Sequence, residues 1–275
     1  MSRKKKIKIE GVENREQWPE WDKPSDIECF ELAKIIAKYV KFLAPEIIGR
    51  IVEDNEKNRA FYRVFLDKAG INPDLYLWDK CSCCFPGIRR HSGRQEINVF
   101  KDKKSSKKKE KFKIDDAIAL DDNSYPKQIW SFIFTGDCFR NIGPKGYCLA
   151  HLIDHKKNNN RMKDEFEFAE NRQFEKPFYG LFTCATNTIY IPNNLMKPTD
   201  FNKKIRAWLI KKAYSLYGGG LCNLVPSFVH FKDTLDSEWD SIDFGENIVV
   251  GNMTNVEAFL KYREKAICDI LKTKN

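Results

Sequence analysis

A chain of 275 residues with 42% apolar side chains has enough material for a sizeable core, which excludes a wholly disordered protein. No stretch approaches the roughly 18 consecutive apolar residues of a membrane span, and Met1 to Ile9 lacks the apolar segment of a secretion signal, so the sequence reads as soluble and cytoplasmic. Basic residues outnumber acidic ones by 48 to 39, for a formal charge of +9, and the excess gathers in Arg3–Lys8 and Lys101–Lys113, as a solvated segment or a polyanion contact would require.

Ser25 to Glu28 has the form of a capping box, and Phe30, Ala33, Ile36, Ala37, Val40 and Leu43 recur at helical spacing. This predicts a helix to about Leu43. Pro45 suits the first turn of a second helix, whose apolar face runs through Ile48, Ile51, Val52, Phe61, Phe65 and Leu66 to Gly70. Residues 1–75 therefore form an amino-terminal helical region. Residues 76–135 hold a Cys- and Arg-rich stretch, the basic run, and short β-prone pieces at Ile97–Phe100 and Lys127–Phe134.

Residues 136–220 read as strands at Gly146–Ile153, Phe178–Thr183 and Thr188–Ile191. A periodic helix carrying Ile205, Leu209, Ile210, Ala213 and Leu216 follows, capped by Thr199-Asp200 and closed by Gly218-Gly219-Gly220. The tail, 221–275, starts a helix at Thr254-Asn-Val-Glu257 with Phe259, Leu260, Ala266, Ile267 and Leu271 as its apolar stripe. The fold class is α+β.

Two of the four histidines fall in Cys148-Leu-Ala-His151-Leu-Ile-Asp-His155, a polar cluster at the end of an apolar strand. Burying it without partners is costly, so it is expected to line a cleft. Cys148 to Ile153 resembles the first strand of the HNH (ββα-metal) endonucleases, which presents the general base. Gly180-Leu-Phe-Thr-Cys184-Ala-Thr-Asn187 is similar to the segment of that family that ends on a metal ligand. The two pieces cover about 50 residues, in the family's order.

The resemblance implies a small ββα-metal core at 136–220, embedded between the amino-terminal helical region and carboxy-terminal helices. It implies His151 as the base that activates water and Asn187 as ligand of the catalytic metal. Most relatives carry histidine at that last position; an amide oxygen is a hard donor, which points to Mg²⁺ or Mn²⁺. Ala150 stands where many relatives have a further ligand, leaving Asp154 and His155 to supply one. Asn193 and Asn194 compete with Asn187 for the metal.

The family also implies double-stranded DNA as substrate, products with a 5′-phosphate and a 3′-hydroxyl, and a structural Zn²⁺. The zinc ligands would come from Cys81, Cys83, Cys84, Cys138 and Cys148, with His91 as a further candidate. Arg89, Arg90 and Arg94, which follow the cysteines, and Lys156 and Arg161 are candidate nucleic-acid contacts. Cys29, Cys222 and Cys268 read as core. A restriction or defence enzyme is the favoured biology, with a homodimer needed for symmetric double-strand cutting. A zinc-stabilised nucleic-acid-binding protein without activity is the alternative, and a basic α+β protein with an accidental motif match is a third reading.

Overall fold

The computed structural model describes residues 22–68, 73–75, 77–86, 88–90, 118–120, 126–138, 143–152, 184–195, 198–223 and 235–272. Helix α1 spans Asp26–Tyr39, and its capping box forms as expected: Ser25 Oγ accepts from the Glu28 N–H while the Glu28 carboxylate accepts from the Ser25 N–H. The helix stops four residues before Leu43 because the Lys41 backbone pairs with Tyr190 in both directions, at 2.8 and 3.1 Å. Phe42–Leu43 then forms β1. Pro45 opens α2 (Pro45–Lys57), and the helical run breaks at Asn58 before α3 (Arg59–Lys68).

Ile88–Arg90 (β2) pairs in parallel with Ile118–Leu120 (β3). Lys127–Phe134, expected as a strand, lies within helix α4 (Pro126–Thr135). Its isoleucines and aromatics favour strands, but Ile129, Trp130, Phe132 and Ile133 also fall at helical spacing, and burying that face decided the outcome. Packing against the carboxy-terminal helix α7 (Val256–Lys272) and the rings of Phe259 and Tyr262 supplies the burial.

Strand β4 (Tyr147–His151) and strand β5 (Thr188–Pro192) form an antiparallel ladder whose register pairs His151 with Thr188 and Tyr147 with Pro192. Both were legible as strands; Phe178–Thr183 lies outside the described residues. After β5 come the short helix α5 (Pro198–Phe201) and then α6 (Lys203–Tyr217), capped by Asn202 rather than by Thr199-Asp200, with Asn202 Oδ1 accepting from the Ile205 N–H at 2.9 Å. β6 (Val249–Val250) runs parallel to β1. The expected Thr254–Glu257 capping box is replaced by Asn252, which caps Thr254, while Glu257 turns to Arg50.

The buried apolar side chains form one continuous cluster drawn from α1, α2, α4, the β4–β5 ladder, α6 and α7. Among the described residues no helix is long and apolar enough to cross a membrane.

Gly251 leaves β6 with a φ of +94°, and a Cβ there would lie 2.7 Å from Ile133 Cγ2 and 2.8 Å from Ile47 Cδ1. Both isoleucines are buried and cannot retreat to solvent. Gly251→Ala is therefore expected to cost roughly 1–3 kcal/mol from overpacking, with the positive φ adding to it. The midpoint of urea unfolding measures it, and an unchanged midpoint would mean that this junction is loosely packed.

Candidate functional site

His151 ends β4 and is half-buried. Residues paired across a ladder share a face, so Tyr147, Leu149, His151, Thr188 and Tyr190 lie on one side of the hairpin, and Cys148, Ala150, Ile189 and Ile191 on the other. On the His151 side, α4 covers the ladder: Trp130 Nε1–H donates to Thr188 Oγ1 at 3.0 Å, and the Trp130 ring meets Tyr190 edge-on.

Asn187 closes a single 3₁₀ turn, Ala185–Asn187, immediately before β5, and is 1% exposed. Its carbonyl accepts from the Leu152 N–H at 2.9 Å, so its backbone is one hydrogen bond from the residue that follows His151. The two principal candidates, 36 positions apart in sequence, thus meet at one end of the ladder. Asn193 and Asn194 occupy a turn beyond its other end, about 13 Å away along a five-residue strand. They are not brought to His151.

The turn carrying Asn187 is fixed from behind by the Cys81–Cys84 loop. Cys83 and Cys184 form an antiparallel bridge, the Ser82 and Thr186 hydroxyls lie 2.9 Å apart, and the Ala185 N–H reaches the Ser82 carbonyl. Two helices hold that loop in turn. Asn55 of α2 donates from Nδ2 to the carbonyls of Cys81 and Cys83, at 2.7 and 3.0 Å. Arg263 of α7, 0% exposed, donates from Nη1 to the carbonyls of Cys83 and Cys84 and from Nη2 to Asp54 at 2.5 Å. The guanidinium also lies over the rings of Tyr62 and Phe259. Sequence reasoning missed this arrangement, although Asn55 and Arg263 each interrupt an otherwise apolar helical face.

Five buried thiols gather here: Cys81, Cys83, Cys84, Cys184 and Cys222. Burial pushes Cys81, Cys84 and Cys184 up, and Cys222 to about 11. Cys83 goes the other way. Burial acts to raise it as well, but hydrogen bonds from the Cys184 and Cys81 thiols and the Phe85 N–H, with the Arg263 charge, hold it well below the usual thiol range.

Of the expected zinc ligands, Cys81, Cys83 and Cys84 are therefore together, while Cys148 stands on β4 opposite Ile191 and Cys138 follows α4. Cys184 and Cys222, not expected there, take their places beside the first three. Among the described residues no group of three or more His, Cys, Asp or Glu is arranged to hold a metal ion. Arg89 and Arg90 lie on β2, paired with Ala119 and Leu120. His91, Arg94, Asp154, His155, Lys156 and Arg161 lie outside the described residues.

Neutral oxygen donors stand near His151: the Thr188 hydroxyl on the same face of the ladder, and Asn187, joined through its backbone to Leu152 and 1% exposed. One neutral oxygen suits Mg²⁺, which keeps most of its waters and draws further ligands from a phosphate; it does not suit a thiophilic ion. The helix that follows the ladder, α6, has α1, α2 and α5 as its main neighbours, while α4 covers the hairpin. The strand–strand–helix order is present along the chain without α6 being the helix on that face.

Comparison with protein-family models, with curated proteins and with solved structures returns no match.

Proposed function

We propose that this chain is a metal-dependent endonuclease of the HNH type that hydrolyses DNA, with sequence-specific, restriction-type cutting by a homodimer as its biological form. The observation that supports the reading best is the approach of the His151 and Asn187 backbones at one end of the β4–β5 ladder, where the Leu152 N–H donates to the Asn187 carbonyl. A net charge of +9 accords with a polyanionic substrate.

Hydrolysis of a phosphodiester by water needs a base that is neutral near physiological pH, and histidine meets that need. His151 takes the proton from the attacking water. Asn187 would hold Mg²⁺, which supplies stabilisation of the charge that builds on the phosphate oxygens. The Cys81–Cys84 loop, tied to Asn55 and Arg263, keeps the Asn187 turn in register with His151. A second reading, a nucleic-acid-binding protein without activity, draws support from the buried thiols around Cys83, which could fasten a scaffold irrespective of catalysis.

Incubating the purified chain with plasmid and with genomic DNA, with Mg²⁺ or with chelator, separates the two. Cleavage is expected with Mg²⁺ only, in discrete bands carrying 5′-phosphate ends. DNA that stays intact with Mg²⁺ and with Mn²⁺, though bound, would replace the endonuclease reading with the second one.

A further inference from the structure

Beside the hairpin lies a cavity of about 470 Å³ that neither His151 nor Asn187 lines. It is walled by Trp130 and Phe134 of α4, whose ring planes are within 12° of parallel, and by Tyr147 and Tyr190 of the ladder. Phe134 is 54% exposed, so its ring is open to a stacking partner. The charged side chains in the lining are Lys41, whose Nζ donates to the Asn247 carbonyl at 2.6 Å, and Lys127. An aromatic box with a cationic rim matches a flat π-system that carries negative charge.

We propose that this cavity receives one unpaired base of a nucleic-acid strand, stacked against Phe134 and Tyr147 over a floor of buried Trp130 and Tyr190, with its phosphate at Lys41 and Lys127. The position argues for a strand over other flat anions. Tyr190 is two residues from Thr188, the ladder partner of His151, so the cavity and the histidine share one face of the hairpin about 7 Å apart along β5. A neighbouring nucleotide of the same strand spans that interval. Trp130 touches both ends, lining the cavity while donating to Thr188. This deepens the endonuclease reading by naming the feature of the substrate that is gripped: a base that has left its pair beside the phosphate to be cut.

The test is binding in chelator, where no cleavage occurs. A fluorescein-labelled single-stranded 10-mer and its duplex are titrated with the full chain, and anisotropy is read. The single strand is expected to bind more tightly than the duplex, and Tyr147→Ala and Phe134→Ala to weaken it about tenfold, as loss of a stacking partner does. Gly143→Phe serves as a filling variant that leaves the walls intact. A Cβ at Gly143 would sit 3.7 Å from Tyr190 Oη, an ordinary contact, so a ring there enters the cavity without forcing the core. It too should weaken single-strand binding about tenfold.

Wild-type affinity in all three variants overturns the proposal. So does a mononucleotide that competes as well as the 10-mer, which would give the cavity to a free nucleotide, or an anilinonaphthalene dye that the 10-mer fails to displace, which would give it to an apolar ligand. His151→Ala should bind like the wild type. A chain that grips single strands through the cavity yet cleaves nothing refutes the endonuclease reading alone, and cleavage with unaltered variants refutes this inference alone.

Discussion

His151→Ala is expected to lower the rate of DNA cleavage by about 10²–10⁴-fold, the usual contribution of a positioned general base. Binding of DNA should be retained, because the substitution leaves the basic side chains and the aromatic cavity in place. Fold disruption is a small risk, since His151 is half-buried at the end of its strand and its backbone pairing with Thr188 does not depend on the side chain. The discriminating measurement is chemical rescue: added imidazole should restore part of the lost rate if position 151 supplies a base, and none if it only shapes the hairpin. Asn187→Ala should show a different signature, a rise in the Mg²⁺ concentration needed for half-maximal rate. Cleavage by His151→Ala at the wild-type rate would remove the catalytic role from this histidine.

Much of the local structure could be read from short-range signals, because those signals are short-range in cause. The capping box at Ser25 and Glu28, Pro45 at a helix start, and the strands around His151 and Thr188 each depend on residues within a few positions. The failures share a different cause. Lys127–Phe134 became helical because its face found α7, more than 120 residues away, and α1 ended early because Lys41 found Tyr190. Neither partner is visible in a local window.

The site shows the same division. Motif residues point to His151 and Asn187, whereas the sequence groups the cysteines of the loop that braces Asn187 with Cys138 and Cys148 as zinc ligands. In the structure Cys184 stands against Cys83 and Cys222 beside Cys81 and Ser82, with Arg263 behind. The overlooked signal was present in the periodicity: Phe259, Arg263 and Ile267 are spaced by four, so the arginine had to lie on the buried stripe. A charge on such a face demands a partner, and that demand could have directed attention to Asp54.

Arg263→Leu is expected to destabilise the fold by roughly 3–5 kcal/mol, the range found when one member of a buried ion pair is removed. Three groups lose this donor together, the Asp54 carboxylate and the carbonyls of Cys83 and Cys84, of which the Cys83 carbonyl keeps Asn55. Asp54 has partial relief, being 13% exposed and 3.8 Å from Arg50, which places the expected cost toward the lower end. Leucine does not reach the place of the guanidinium over Tyr62 and Phe259, so vacated volume adds to the lost polar pairing. Urea unfolding measures it, and Arg263→Leu combined with Asp54→Asn should cost less than the two single changes added together, because the second change removes the stranded charge left by the first. Cleavage should fall as well, since the Cys81–Cys84 loop holds the Asn187 turn through Ser82 and Cys83. A destabilisation under about 1 kcal/mol would show that the loop stands without its arginine, and that the Asn187 turn is held by Asn55 and the thiols instead.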